Sequence, residues 1–85
     1  MSEEILVLQL TNAQYEALKE VMILDEEPEA MVNNAKPTDK GFVLTGPWDV
    51  FDDLAGFVAS EANHSESQKK QKVLDRICEK IEELL

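Results

Sequence analysis

Ile5-Leu6-Val7-Leu8-Gln9-Leu10-Thr11-Asn12-Ala13-Gln14-Tyr15 is the stretch that decides the fold, because a strand runs into a helix there with no linker between them. Glu4 to Leu10 is short and rich in aliphatic residues, as strands are. Alternation along a strand puts Leu6, Leu8 and Leu10 on one wholly apolar face and Ile5, Val7 and Gln9 on the other. Thr11 and Gln14 match a capping box, in which the threonine accepts a bond from the backbone three residues on and the glutamine side chain reaches back to the cap. Leu10 and Tyr15 flank that cap as a hydrophobic staple. Tyr15, Leu18, Val21 and Met22 continue at helical spacing and carry the helix to about Leu24, where Asp25-Glu26-Glu27-Pro28 is a poor continuation.

Further along, Pro28 opens a short helical turn through Met31 and Val32, which cover the edge of the core, and Asn33-Asn34 and Lys36-Pro37 close it. Gly41-Phe42-Val43-Leu44-Thr45 reads as a second short strand. Gly46-Pro47 leads into a second long helix, with Pro47 at its first position and Gly46 or Thr45 as cap. Its apolar stripe is Val50, Phe51, Leu54, Phe57 and Val58, and Asn63 is its left-handed terminator. Ser65-Glu66-Ser67-Gln68 is another capping-box pattern and opens a last helix whose apolar face is Leu74, Ile77, Cys78, Ile81, Leu84 and Leu85. The tight connection between the last two helices implies an antiparallel hairpin. The expectation is one small α+β domain over residues 1–85, in the order β-α-β-α-α: a two-stranded sheet packed by helices, with a C-terminal helical hairpin. Strand direction stays open, since a helical crossover permits a parallel pair and the long 25–40 connection an antiparallel one. Two strands alone make a marginal sheet, so helices must cover it or a second copy extend it.

The charge of the chain narrows its partners. The net charge is −10, and residues 1–62 hold thirteen acidic side chains against three basic ones, whereas residues 63–85 balance five against five. Such a surface repels phosphate backbones and argues against nucleic acid as a partner. It suits solubility and a basic protein partner. Cys78 is the single cysteine, so no intramolecular disulfide can form. The start, Met1-Ser2-Glu3-Glu4, is acidic where an export signal is basic, and no apolar run approaches the length of a membrane span. The expectation is a cytoplasmic protein with no membrane partner.

Catalytic motifs are sparse. Glu61 and His64 stand three apart, the helical spacing of carboxylate–histidine metal ligands, but one pair supplies too few donors unless a dimer doubles it. The plainer role for His64 is a bond to a terminal carbonyl of its own helix. Cys78 shares the apolar face of the last helix, which predicts burial rather than a reactive thiol. Asp49, Asp52 and Asp53 lie in the first turns of their helix, where the dipole favours negative charge, and have no reason to hold separated acidities. The sequence contains no glycine-rich phosphate loop, no Cys-x-x-Cys and no nucleophile elbow, so no cofactor is expected.

Recognition residues are more plausible. Trp48, the single tryptophan, sits at a helix start, as a packing residue over the sheet end or an exposed anchor. Lys69, Lys72, Arg76 and Lys80 fall in one arc of the last helix. That arc is a solvated face balanced by Asp75, Glu79 and Glu83, or a stripe for an acidic partner or a nucleic-acid phosphate, which the rest of the molecule would repel, or the self-contact of a homodimer steered by Asp49, Asp52 and Asp53 of another copy. The expected function is that of a non-catalytic protein-interaction module, of the kind of a small bacterial adaptor. An acidic inhibitor of a basic partner, antitoxin-like or mimicking nucleic acid, is the first alternative. A metal enzyme assembled in a dimer through Glu61 and His64 is the second.

Overall fold

The first strand and the first helix cap form where the sequence puts them. The computed structural model describes residues 4–85. The start Met1-Ser2-Glu3, on which the reading of an unexported chain rests, lies outside the described residues. The elements are β1 (Ile5–Leu10), α1 (Asn12–Lys19), α2 (Glu26–Asn33), β2 (Lys36–Thr38), β3 (Gly41–Pro47), α3 (Trp48–His64) and α4 (Gln68–Leu84). The class is α+β. The sheet, however, has three strands rather than the two expected, in the order β1-β3-β2, with both pairs antiparallel. The added strand is Lys36-Pro37-Thr38, taken from sequence as the end of a helical turn. Asp39-Lys40 folds it back on β3 as a hairpin, and the Thr38 hydroxyl accepts from Lys40 N at 3.3 Å.

Register follows the hydrophobic pattern. Leu6 faces Gly46, Leu8 faces Leu44 and Leu10 faces Phe42, so the apolar side of β1 and that of β3 form one inner surface. The helices bury it. Leu10, Leu44, Phe51, Leu54, Leu74, Ile77 and Ile81 are all fully buried, and no charged or polar side chain among the described residues is. Each such side chain contributes about 1.5–3 kcal/mol relative to exposure. Met31 and Val32 of α2 join this core. Met31 Sδ lies where a side chain at Gly46 would be, so the glycine opposite Leu6 makes room for the helix.

The helix ends differ from the expected ones in ways that tertiary contacts explain. The Thr11 box is complete: Gln14 N donates to Thr11 Oγ1 at 3.1 Å and Thr11 N to Gln14 Oε1 at 3.0 Å. But α1 stops at Lys19 with Glu20 as its C-cap, five residues short of Leu24. Val21 is buried there, while Met22 and Leu24 turn outward. Pro47 is the N-cap of α3 rather than its first helical residue, because pairing with Ile5 keeps it extended in β3. Asn63 stays helical and α3 runs to His64. Ser67, not Ser65, caps α4, accepting from Lys70 N at 3.3 Å. Ser65 instead ends α3 and bonds locally to Ser67. The expected antiparallel hairpin of α3 and α4 forms, joined by Ser65-Glu66-Ser67.

Gly41 is held by two constraints. Its φ is +146°, and a Cβ there would meet Leu10 O, Thr11 C at 2.7 Å and Asn12 N at 2.9 Å. Backbone cannot give way as a side chain tip can. Gly56, on the exposed side of α3, has nothing within 4 Å. Thermal unfolding should therefore separate the two. Gly41→Ala is expected to destabilise by about 2 kcal/mol or more, and Gly56→Ala to stabilise by about 0.5–1 kcal/mol.

Candidate functional site

Two faces of the molecule carry the residues expected to recognise a partner. On α3, Trp48 is the first helical residue and 48% exposed, and Asp49, Asp52 and Asp53 are exposed with it. Asp49 occupies the first turn, where the unpaired backbone N–H groups favour a carboxylate. On α4, Lys69, Lys72 and Arg76 are exposed, and Arg76 Nη1 binds Glu79 Oε2 at 3.0 Å one turn along.

Lys80, the fourth member of that basic arc, is turned into the fold. Its Nζ donates to Gln9 O at 3.2 Å and to Gln14 Oε1 at 2.8 Å. Burial pulls its pKa below the usual lysine value, and the charge of Arg76 adds to that, while Glu83 acts the other way. The same oxygen of Gln14 thus serves both the start of α1 and the body of α4. Gln14 sits where the chain leaves β1, and its box with Thr11 fixes its side chain toward α4.

The structure also assembles a groove that was not singled out from sequence. Leu24, Asp25, Glu26, Glu27, Pro28 and Asp53 line an open depression of about 450 Å³. The early stop of α1 creates it. With no helix to bury it, Leu24 is 78% exposed and Met22 73% exposed, and the packing of α2 on α3 brings Asp53 alongside. A sign was present in the sequence: Met22-Ile23-Leu24 abuts four acidic residues within Asp25–Glu29, and a helix cannot be amphipathic across that junction. A second depression of about 250 Å³ lies beside it, between the end of α1 and α2.

The chemical candidates are dispersed. His64 Nδ1 is 2.8 Å from Ser60 O, a bond within its own helix, and Glu61 is half-buried one turn before it. Among the described residues no three His, Cys, Asp or Glu side chains come together as a metal would need. Cys78 is half-buried, and its thiol points to Ala55 O at 3.6 Å across the helical hairpin. Burial raises its pKa, and the nearby charges of Glu82 and Asp75 raise it further. No helix of the described residues is long and apolar enough to cross a membrane. No protein-family model, curated protein or solved structure matches the chain.

Two measurements test these placements. Lys80→Met should cost about 1 kcal/mol in denaturant unfolding, because two hydrogen bonds to partly buried oxygens are lost. Cys78 should alkylate with iodoacetamide at pH about 8 at least tenfold more slowly in the folded chain than in the urea-unfolded one, since its thiolate forms only at higher pH in the fold. Equal rates would contradict the burial described here.

Proposed function

We propose that the chain is a non-catalytic protein-interaction module that takes a basic protein segment against its acidic groove. The observation that carries this is Leu24, exposed at 78% and standing among Asp25, Glu26, Glu27 and Asp53. A large aliphatic side chain ringed by carboxylates is the complement of a segment that alternates apolar and basic residues. The aliphatic group supplies the desolvated anchor, and the carboxylates steer and orient the approach. Met22, Trp48, Asp49 and Asp52 belong to the same recognition chemistry, as exposed apolar and acidic side chains of the neighbouring α1–α2 connection and α3. The net charge of −10 adds long-range attraction for any basic partner.

The test begins with capture of binding proteins from extracts of the source cells. The purified partner is then titrated at about 50 mM and about 500 mM salt, which spans strong and weak screening. Binding should weaken at least about tenfold as salt rises. Leu24→Ser and Asp53→Lys should each weaken it by about tenfold, or roughly 1.4 kcal/mol, with unchanged circular dichroism. A dissociation constant that ignores salt and both substitutions would set the proposal aside.

A further inference from the structure

The two edges of the sheet are built differently. The β2 edge is three residues long and carries Lys36 and Pro37, both exposed. Short length, lysine and proline are the means by which sheets refuse additional strands. The β1 edge has none of them. Ile5–Leu10 is six residues long and holds no charge and no proline. It is the one described element with an open sheet edge and no charged residue, on a chain of net charge −10.

The backbone groups on that edge can be assigned. A two-residue loop is flanked by a pair that bond each other, here Thr38 and Gly41. Alternation along β3 then directs Gly41 and Val43 to β2, and Phe42, Leu44 and Gly46 to β1. Their partners on β1 are Leu10, Leu8 and Leu6, so the N–H and C=O groups of Ile5, Val7 and Gln9 point to the open edge. Pro37, opposite Phe42, fits the same alternation, since its missing N–H would face outward. Gln9 O meets Lys80 Nζ, the one described hydrogen bond from a helix that ends on this edge. Ile5 and Val7 also expose their side chains, at 60% and 55%.

We infer that β1 pairs with β1 of a second copy of this chain, antiparallel about a two-fold axis at Val7, to give a continuous sheet across the dimer. Val7 exchanges a pair of backbone bonds with its counterpart. Gln9 N–H donates to Ile5 O of the other copy, and the reverse bond follows by symmetry. Gln9 O remains with Lys80. This register also matches charges. Glu4 stands opposite Leu10 of the second copy, one residue from the Gln9 carbonyl that holds a Lys80 ammonium, so each end of the contact sets a carboxylate against a lysine. A strand pair of this length lies at the low end of interface sizes, so association is concentration-dependent, with a dissociation constant of about 10–100 µM.

Sedimentation equilibrium from about 5 to about 500 µM chain, at about 0.15 M salt, should show a monomer passing into a dimer. Val7→Pro removes an outward N–H and nothing from the ladder to β3, so it should leave the domain folded and monomeric throughout. Val7→Lys sets two lysines opposite each other on the axis and should weaken the dimer about tenfold, although it lowers the net charge of the chain. Should the proline variant unfold, the lysine variant and amide exchange decide: the Val7 amide of the unmodified chain must exchange more slowly as concentration rises. A chain monomeric at about 500 µM, a dimer that survives the lysine substitution unweakened, or Val7 exchange independent of concentration each overturns the inference.

Discussion

The antiparallel ladder between β1 and β3 is the constraint on which the rest of the fold stands. It joins Leu8 to Leu44 and Leu10 to Phe42 across more than thirty residues of chain, and it decides which side of each strand meets the helices. A slip of one residue would turn Leu6, Leu8 and Leu10 into solvent and bring Ile5, Val7 and Gln9 beneath the helices. Aromatic contacts lock the correct register. Tyr15 of α1 stacks on Phe42 with ring centroids 4.0 Å apart, and its hydroxyl donates to Val32 O at 3.0 Å. One tyrosine therefore ties the sheet to α1 and to α2 at once. Its hydroxyl is satisfied in the same contact, and a phenylalanine in that place would lack the bond to α2.

Much of this was legible from local chemistry. The strand at Ile5–Leu10, the Thr11–Gln14 box and the apolar stripes of α3 and α4 announce themselves because each is a local pattern whose period matches its structure. What was hidden depends on contacts distant in sequence. Lys36-Pro37-Thr38 has no strand composition of its own and is extended because β3 lies beside it. The stop of α1 at Lys19 depends on where Val21 finds burial, and Pro47 is extended because Ile5 pairs with it. The proposed recognition surface was legible in part. Exposure of Asp49, Asp52 and Asp53 follows from helical periodicity, whereas local pattern leaves Trp48 between packing and exposure, and the meeting of Asp53 with Leu24 and Asp25–Glu27 depends on how α2 packs on α3. Lys80 shows the reverse case: its spacing groups it with three surface cations, and only the tertiary fold reveals that it holds β1 and α1.

The distribution of charge and grease over the surface has a physical logic. The helices that cover one side of the sheet carry the acidic excess outward, and the core beneath holds no buried polar side chain among the described residues. The other side of the sheet is left bare, with Ile5, Val7, Thr45 and Pro47 in two neighbouring strands and Gln9 stitched to Thr38 and Phe42 O. That side carries few charges, Lys36 opposite Val43 being one.

The doubly used oxygen of Gln14 bears on how the chain comes apart. It accepts from Thr11 N, three residues away, and from Lys80 Nζ, sixty-six residues away. The first bond can form as soon as α1 nucleates; the second waits until α4 has docked. Fraying of the last helix as far as Lys80 therefore withdraws a support from the start of the first. Contacts of such long sequence separation also raise contact order, so assembly of this small domain is governed by loop closure rather than by how quickly its individual helices form.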